Sequence, residues 1–370
     1  MVTGAFGGEC VELHTVYIYD RGGETRVAQI QDVSEVHWSR DRDAVSEAHI
    51  RIEGSACSAQ ADILAAIEPK RSEIVIYRGQ DRVWEGPVWR VAWHSTYVEI
   101  NAHDVMAYVH GTPMSKEYSN AYPNVGFVLD RIKGIMDHEM PVWENLTPPI
   151  NVLPHVVYHT TPDGPKTTSA TIPFEMTVGE HLQHLAHYSG IDFVTVGRAI
   201  HFWDVDNNLG KTRMLTEADF YSEVIITAYG ADMAASIYVI GEDGKYGHAE
   251  EPTPYYGPWT NILTAYNEEG TELPGQEELD SQAQRSLNGR IPVPVEVRVP
   301  DGSGIRLNET LTINDLIPGV EMPLLATLNA RRMSQRQKLD DVTITETPTG
   351  ETIQVTLTPA TTHDPIEPTL

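Results

Sequence analysis

The sequence predicts a mainly β protein whose middle third mixes helices and strands. Three observations predict it. Apolar and polar residues alternate in short runs through the first and last thirds. Glycine-containing turns separate those runs, and longer runs at helical spacing gather in the middle. Alternation suits a half-buried strand and the wider spacing an amphipathic helix.

In the first third, Val16–Asp20 and Arg26–Ile30 read as strands joined by the Arg21-Gly22-Gly23 turn. Ala48, Ile50 and Ile52 alternate with Glu47, His49 and Arg51. Gln60–Ile67 has one apolar stripe and Pro69 just beyond it, the pattern of a short helix. Ile74–Tyr77 is a strand, Arg78–Asp81 a turn, and Val83-Trp84 leads to Gly86-Pro87, where a bend or bulge is expected. Trp89, Val91 and Trp93 then share one side of a strand, and Val98, Ile100 and Ala102 repeat the alternation. Strands this closely spaced suggest a small barrel or sandwich.

In the middle, Asn124–Met136 fits a helix, and the Pro- and Thr-rich stretch 144–173 reads as a long loop or arm. Thr177–Tyr188 is a second helix, with Thr177 as N-cap, Glu180 completing a capping box and Gly190 ending it. Ile191–Val196 and Ala199–Trp203 form a hairpin around Gly197-Arg198.

The last third returns to strands. Glu223–Tyr229 and Ser236–Ile240 are joined near Gly230, and Gln276–Leu287 is a helix. Val293–Val299 follows, then the Ile317-Pro318-Gly319 turn into a further strand. Asp341–Glu346 and Glu351–Pro359 close the chain around Thr349-Gly350. The expected domains are a β-barrel over 1–110, an α/β unit over 111–215 with its helix–hairpin at 177–204, a second β-barrel over 216–360, and a tail over 361–370.

At 370 residues the chain is expected to hold two to four packed units. Its 26 Lys and Arg against 53 Asp and Glu give a formal net charge of −27. That surface repels nucleic-acid phosphate, which argues against sequence-specific nucleic-acid binding. The acids are spread along the chain, as on a solvated or pore-lining surface. Cys10 and Cys57 are too few for a disulfide framework and fit folding in a reducing cytoplasm. Met1–Glu9 has no signal-peptide pattern, and no apolar run reaches the roughly 20 residues of a transmembrane helix.

The candidate metal ligands are His181 and His184, three residues apart on one helix. His187 falls about 120° from His181, so the three do not converge, and no HExxH motif supplies a general base. Imidazoles on a solvated or interface face account for the pattern better. There is no nucleophile elbow, P-loop or dinucleotide fingerprint. Gly302-Ser303-Gly304 has no helix behind it, and Asp204–Asn208 lacks the glycine and terminal glutamate of a calcium loop. Trp84, Trp89 and Trp93 could form a carbohydrate platform, although core or subunit-interface packing is the favoured account. Arg331-Arg332 is a basic spot that could meet a neighbour's acids or simply be solvated. Neither a catalytic constellation nor a cofactor is expected.

The succession Ile74-Val75-Ile76-Tyr77, Trp84-Glu85-Gly86-Pro87-Val88 and Val98–Val105 resembles the tail-hub, baseplate-hub-like minor tail proteins of long-tailed bacteriophages. The likeness is to siphoviruses of the actinobacteriophage type. The helix–hairpin Val178–Trp203 and the late order of helix, Leu316–Gly319 turn and closing strands agree with it. The resemblance covers most of the chain, least so 144–173. It implies a homotrimer at the virion tail tip, assembled in the host cytoplasm, closing the distal end of the tail tube. Two tail-tube-like barrels per subunit would flank a smaller α/β insertion. The implied partners are the distal tail protein, the tape measure protein and downstream minor tail or receptor-binding proteins. An acidic lumen would let DNA pass during ejection without sticking.

Two other readings stay open. One is a peripheral tail adhesin binding cell-wall glycan through exposed, coplanar Trp89 and Trp93. The other is a zinc-dependent cell-wall hydrolase using His181 and His184.

Overall fold

The computed structural model describes residues 10–116, 128–147, 149–153, 155–159, 176–189, 191–204, 207–228, 234–241, 244–251, 257–265, 275–288 and 295–359. The expected strands of the first third are present. β1 (His14–Tyr19) and β2 (Arg26–Ile30) pair across the Gly22-Gly23 turn, where both glycines have positive φ. β3 (Val33–Asp41) and β4 (Glu47–Glu53) follow as an antiparallel pair. The expected helix at Gln60–Ile67 forms as α2 (Ala61–Ala65), and a further short helix, α1 (Gly54–Ala59), precedes it. β5 (Glu73–Arg78), β6 (Asp81–Trp93), β7 (Tyr97–His103) and α3 (Met106–His110) complete this part.

Of the expected bend or bulge at Gly86-Pro87, β6 has a bulge just beyond it and runs on as a strand through both residues. There it leaves β5, its partner up to Pro87, and takes up β7 from Val88. Gly86 is required at that switch because a Cβ would lie 1.9 Å from the His103 carbonyl oxygen. The irregularity comes two residues later: Val88 pairs with Ala102 and Arg90 with Asn101, leaving Trp89 as the extra residue of a bulge.

The middle holds α4 (Val128–Glu139), β8 (His155–His159), α5 (Val178–Ser189), β9 (Ile191–Val196) and β10 (Ala199–Asp204). The capping box forms as expected: Glu180 N–H donates to Thr177 Oγ1 at 3.2 Å, and Thr177 N–H donates back to Glu180 Oε2 at 2.7 Å. The start of the expected first helix and Gly190 lie outside the described residues. The segment 144–173 is not wholly loop, since β8 lies within it and pairs in parallel with β10. Pairing with β10 makes this edge strand, where the sequence offered only five residues between Pro-rich flanks. The helices bury Ile132, Ile135 and Leu182 against Phe193 and Phe202 of the hairpin.

The last third opens with the short β11 (Gly210–Lys211) and β12 (Leu215–Thr216). β13 (Ile225–Ala228) and β14 (Ser236–Ile240) form where strands are expected but do not pair with each other, and Gly230 lies outside the described residues. β14 instead joins β15 (Tyr246–Glu250) and β16 (Thr260–Thr264) in a small sheet covered by α6 (Gln276–Asn288). Leu279, Ala283 and Leu287 of the helix meet Ile237 and Val239 in a core of their own. β13 pairs with β17 (Val295–Arg298). β18 (Ser303–Gly304), β19 (Val320–Leu328), β20 (Arg331–Thr347) and β21 (Gly350–Pro359) end the described chain.

Strands of the two β-rich thirds are hydrogen-bonded into one 13-stranded sheet with the main order β11-β19-β20-β3-β4-β7-β6-β5-β1-β2. β20 makes the join: Arg331–Lys338 pair with β19, and Asp341–Glu346 pair with β3. A single buried cluster runs through both thirds, from Val16, Trp38, Ile50 and Ile100 to Leu324, Ile344 and Val355. Each such large side chain contributes roughly 1.5–3 kcal/mol when fully buried.

Candidate functional site

Because side chains alternate along a strand, the sheet's core face fixes what its other face carries. With Val36, Trp38, Ile50, Val98 and Ile100 inside, the opposite face of β3, β4 and β7 presents Glu35, His37, Glu47, His49, Glu99, Asn101 and His103. Registers align these into rows. Thr352 lies opposite Thr345, Thr345 opposite His37, His37 opposite His49, and His49 opposite Asn101. The row crosses from β21 to β7 and is polar throughout.

Acids dominate this face. Glu35, Asp41, Glu47, Glu53, Glu99 and Asp341 stand against Arg51 and Arg90. The histidines pair with the acids: His103 Nε2 lies 3.5 Å from Glu47, His94 Nε2 3.4 Å from Glu99 and His49 Nε2 3.7 Å from Glu99. Burial lowers the pKa of His37, helped by neighbouring His49, and burial lowers that of His103 against the pull of Glu47. Both are therefore largely neutral at pH 7, and the face keeps its acidic balance. Burial raises the Asp41 pKa, while the Ser39 hydroxyl, 2.6 Å away, favours the ionised form.

Two buried ionic anchors hold the helical middle unit against the sheet. Arg198 sits in the β9–β10 turn after Gly197, whose φ is +56°. Its guanidinium reaches Glu73 at 2.7 Å and Glu85 at 2.9 Å, and both carboxylates are buried. Glu73 also accepts the Gly22 N–H at 2.8 Å and a short bond from the Tyr108 hydroxyl, and Arg82 pairs with Glu85. At the other end of the hairpin, Asp192 meets Arg42 at 3.0 Å and Lys338 at 3.3 Å, and Arg42 also pairs with Asp340. Burial, with the charge of Asp192 beside it, raises the Asp43 pKa to about 7. Sequence reasoning passed over Arg198 as a turn residue. The available signal was a pair of carboxylates, Glu73 and Glu85, inside apolar strands.

The sequence-predicted residues fare differently. Trp84 is buried in the main core. Trp89 and Trp93 are 47% and 60% exposed in the single chain, so of the expected core or subunit-interface packing, neither ring is buried in the subunit's own core. The bulge accounts for Trp89: it turns that ring outward and restores Val91 to the core side opposite Ile100, while Trp93, opposite Val98, is the last residue of β6. Trp89 stacks on His103 with centroids 4.7 Å apart, and Lys70 Nζ lies 4.5 Å from its ring. His181 is buried at the root of α5, and the side chain of His184 lies outside the described residues. Among the described residues no group of three or more His, Cys, Asp or Glu is placed to hold a metal ion. No described helix is long and apolar enough to cross a membrane.

No protein-family model matches the chain, and no curated protein matches it. Solved structures do. The 43 kDa tail protein of prophage MuSo2 from Shewanella oneidensis superposes with a TM-score of 0.59 at 12% identity, over 93% of this chain and 96% of its own. The tail protein of Neisseria meningitidis MC58 gives 0.57 at 11% identity, over 93% and 95%. The prophage tail protein gp18 of Listeria monocytogenes EGD-e gives 0.55 at 8% identity, over 92% and 94%. Across nearly its whole described length, this mainly β chain has the fold of prophage tail proteins.

Proposed function

We propose that the chain is a structural, non-enzymatic component of a bacteriophage tail, the hub that closes the distal end of the tail tube. In this reading three copies form a ring at the virion tail tip, between the distal tail protein and tape measure above and the host-recognition proteins below. The polar face of the long sheet lines the passage for DNA. The single observation that carries the reading is the continuity of that face across β21, β20, β3, β4 and β7, with acids in excess. Such a wall offers phosphate repulsion in place of counter-ions. The shared fold of the tail proteins supports the same reading. Electron cryomicroscopy of the tail tip tests it. Three copies with Glu47, Glu99 and Thr345 facing the lumen are expected, and a ring with that face outward would sink the channel assignment.

The exposure of Trp93 favours a second reading, a peripheral adhesin for cell-wall glycan. Against it, the Trp89 ring is already engaged by His103 and Lys70, which a stacking sugar would have to displace. Quenching of tryptophan fluorescence by cell-wall fragments, lost in Trp93→Ala, would establish it. A zinc hydrolase has no comparable support, since His181 is buried.

A further inference from the structure

Among the described residues, the small sheet of β15, β14 and β16 is covered by α6 on one face only. Its helix face is tightly fitted: a Cβ at Gly247 would lie 2.1 Å from the Leu279 backbone. The other face carries Tyr246 opposite Ile240, and His248 opposite Tyr238, itself opposite Ile262. Tyr238 stacks on His248 at 4.3 Å and contacts Tyr246 at 5.7 Å, so the rings form one platform. Ile262 is 64% exposed, Trp259 at the head of β16 is 60%, Tyr246 is 55% and Ile240 is 44%. At roughly 150–250 Å² per large side chain, the fractions of Ile262, Tyr246 and Ile240 leave about 300 Å² of apolar surface on the open face in water, enough to mark an interaction site. Beside it, β16 ends its sheet and has no strand partner on its outer edge among the described strands.

We propose that a second copy of this chain covers this face and edge. The inference rests on the self-assembling hub reading and deepens it by naming the contact surface. Electrostatics selects the occupant. The chain carries a formal charge of −27, so two copies brought together at most orientations meet like charge. Among the described strand residues of the open face Glu250 is the sole carboxylate, at one end of the platform, and the rest are aromatic, aliphatic or hydroxyl-bearing. Here two copies approach without carboxylate crowding, and apolar burial is unopposed. A standard interface takes about 800 Å² from each partner, so the platform supplies its apolar centre and leaves area for a polar rim. The exposed main-chain groups of β16 can add hydrogen bonds along the edge.

The test compares the purified full chain with Ile262→Asp by native mass spectrometry and by light scattering across a dilution series. Ile262 is mostly solvent-exposed, so the subunit's own melting transition should survive, and Ile262→Ser gives a milder second variant. Val27→Asp, on β2 and 60% exposed, is the control. The expected result is a wild-type oligomer whose dissociation midpoint rises at least tenfold with Ile262→Asp, less with Ile262→Ser and not at all with Val27→Asp. A wild-type oligomer unaffected by Ile262→Asp, or weakened equally by Val27→Asp, overturns the contact assignment and leaves the hub reading standing. A wild-type chain that stays monomeric at every concentration overturns the contact and the self-assembly reading together.

Discussion

The indole N–H of Trp38 donates to His14 Nε2 at 3.1 Å, and that bond assigns the imidazole's tautomer. An indole nitrogen can only donate, so Nε2 must accept and the ring proton must sit on Nδ1. His14 Nδ1 then donates to Glu346 at 2.7 Å. The same carboxylate accepts the backbone N–H groups of Glu12, Leu13 and His14 at 2.8–2.9 Å. This relay ties β1 to β3 and to the far end of β20, and so to the closing hairpin.

Its pH dependence follows from the tautomer. Burial lowers the pKa of His14, although Glu346 pulls it upward. A lowered folded-state pKa means that the unfolded chain binds the proton more readily, so stability falls as pH drops below about 6.5. For Glu346, burial alone would raise the pKa, but the backbone donors and His14 outweigh it and the net shift is downward. Its contribution is present above about pH 4.3 and is lost on further acidification. Thermal melts should therefore show a first loss between pH 7.5 and 5.5, and His14→Gln should flatten that segment (about one ionisation's worth). An unchanged slope in the variant would remove His14 from the account.

Arg198 is expected to be the most sensitive charged position of the middle unit. Replacing it with Met leaves Glu73 and Glu85 buried without their shared cation, and breaking such a pair costs about 3–5 kcal/mol. Burial already raises the Glu85 pKa against the pull of Arg198 and Arg82, so the variant should take up a proton on folding. Urea unfolding of Arg198→Met, Glu73→Gln and the double variant measures the coupling. Additive losses would show that the anchor is incidental.

Gly86→Ala tests the strand switch. The new methyl would fall 1.9 Å from the His103 carbonyl, a rigid backbone atom, so β6 and β7 must part. Overpacking of this kind costs roughly 1–3 kcal/mol, read as a shifted urea midpoint. Gly319→Ala should fail as well, for a different pair of reasons. Its φ is +93°, and the methyl would meet the Trp203 ring at 2.3 Å.

Much of the fold was legible because period-two alternation reports directly on which face of a strand is buried. The β4 run Ala48-Ile50-Ile52 and the Thr177–Glu180 cap are local signals, and both formed as read. What alternation does not encode is the partner. Nothing around Asp341–Glu346 says that it pairs with Val36–Asp41, some three hundred positions earlier, and that pairing fuses the two β thirds. A bulge likewise leaves no mark on composition, so Trp89 kept its apparent parity with Trp93 while the structure broke it. The short strands β15 and β16 carry few apolar residues because, among the described residues, one of their faces is open or only partly covered. The acidic sheet face could be listed from the sequence residue by residue, but its rows exist only once register is known.

That face makes the last prediction. If Glu47 and Glu99 line a DNA passage, Glu47→Lys combined with Glu99→Lys converts repulsion into phosphate attraction. The fold should tolerate the change. Both residues are on the open face, and the pairs they lose, with His103, His94 and His49, are surface-type contacts worth about 0–1 kcal/mol each. Particles should assemble with the normal ring, yet triggered DNA release should slow. The delay should shrink as salt rises, because phosphate binding weakens steeply with ionic strength. Release kinetics measured by a dye that reports free DNA, at low and high salt, separate this from an assembly defect, which salt would not relieve. Equal rates for variant and parent at low salt would mean that these carboxylates face away from the passage.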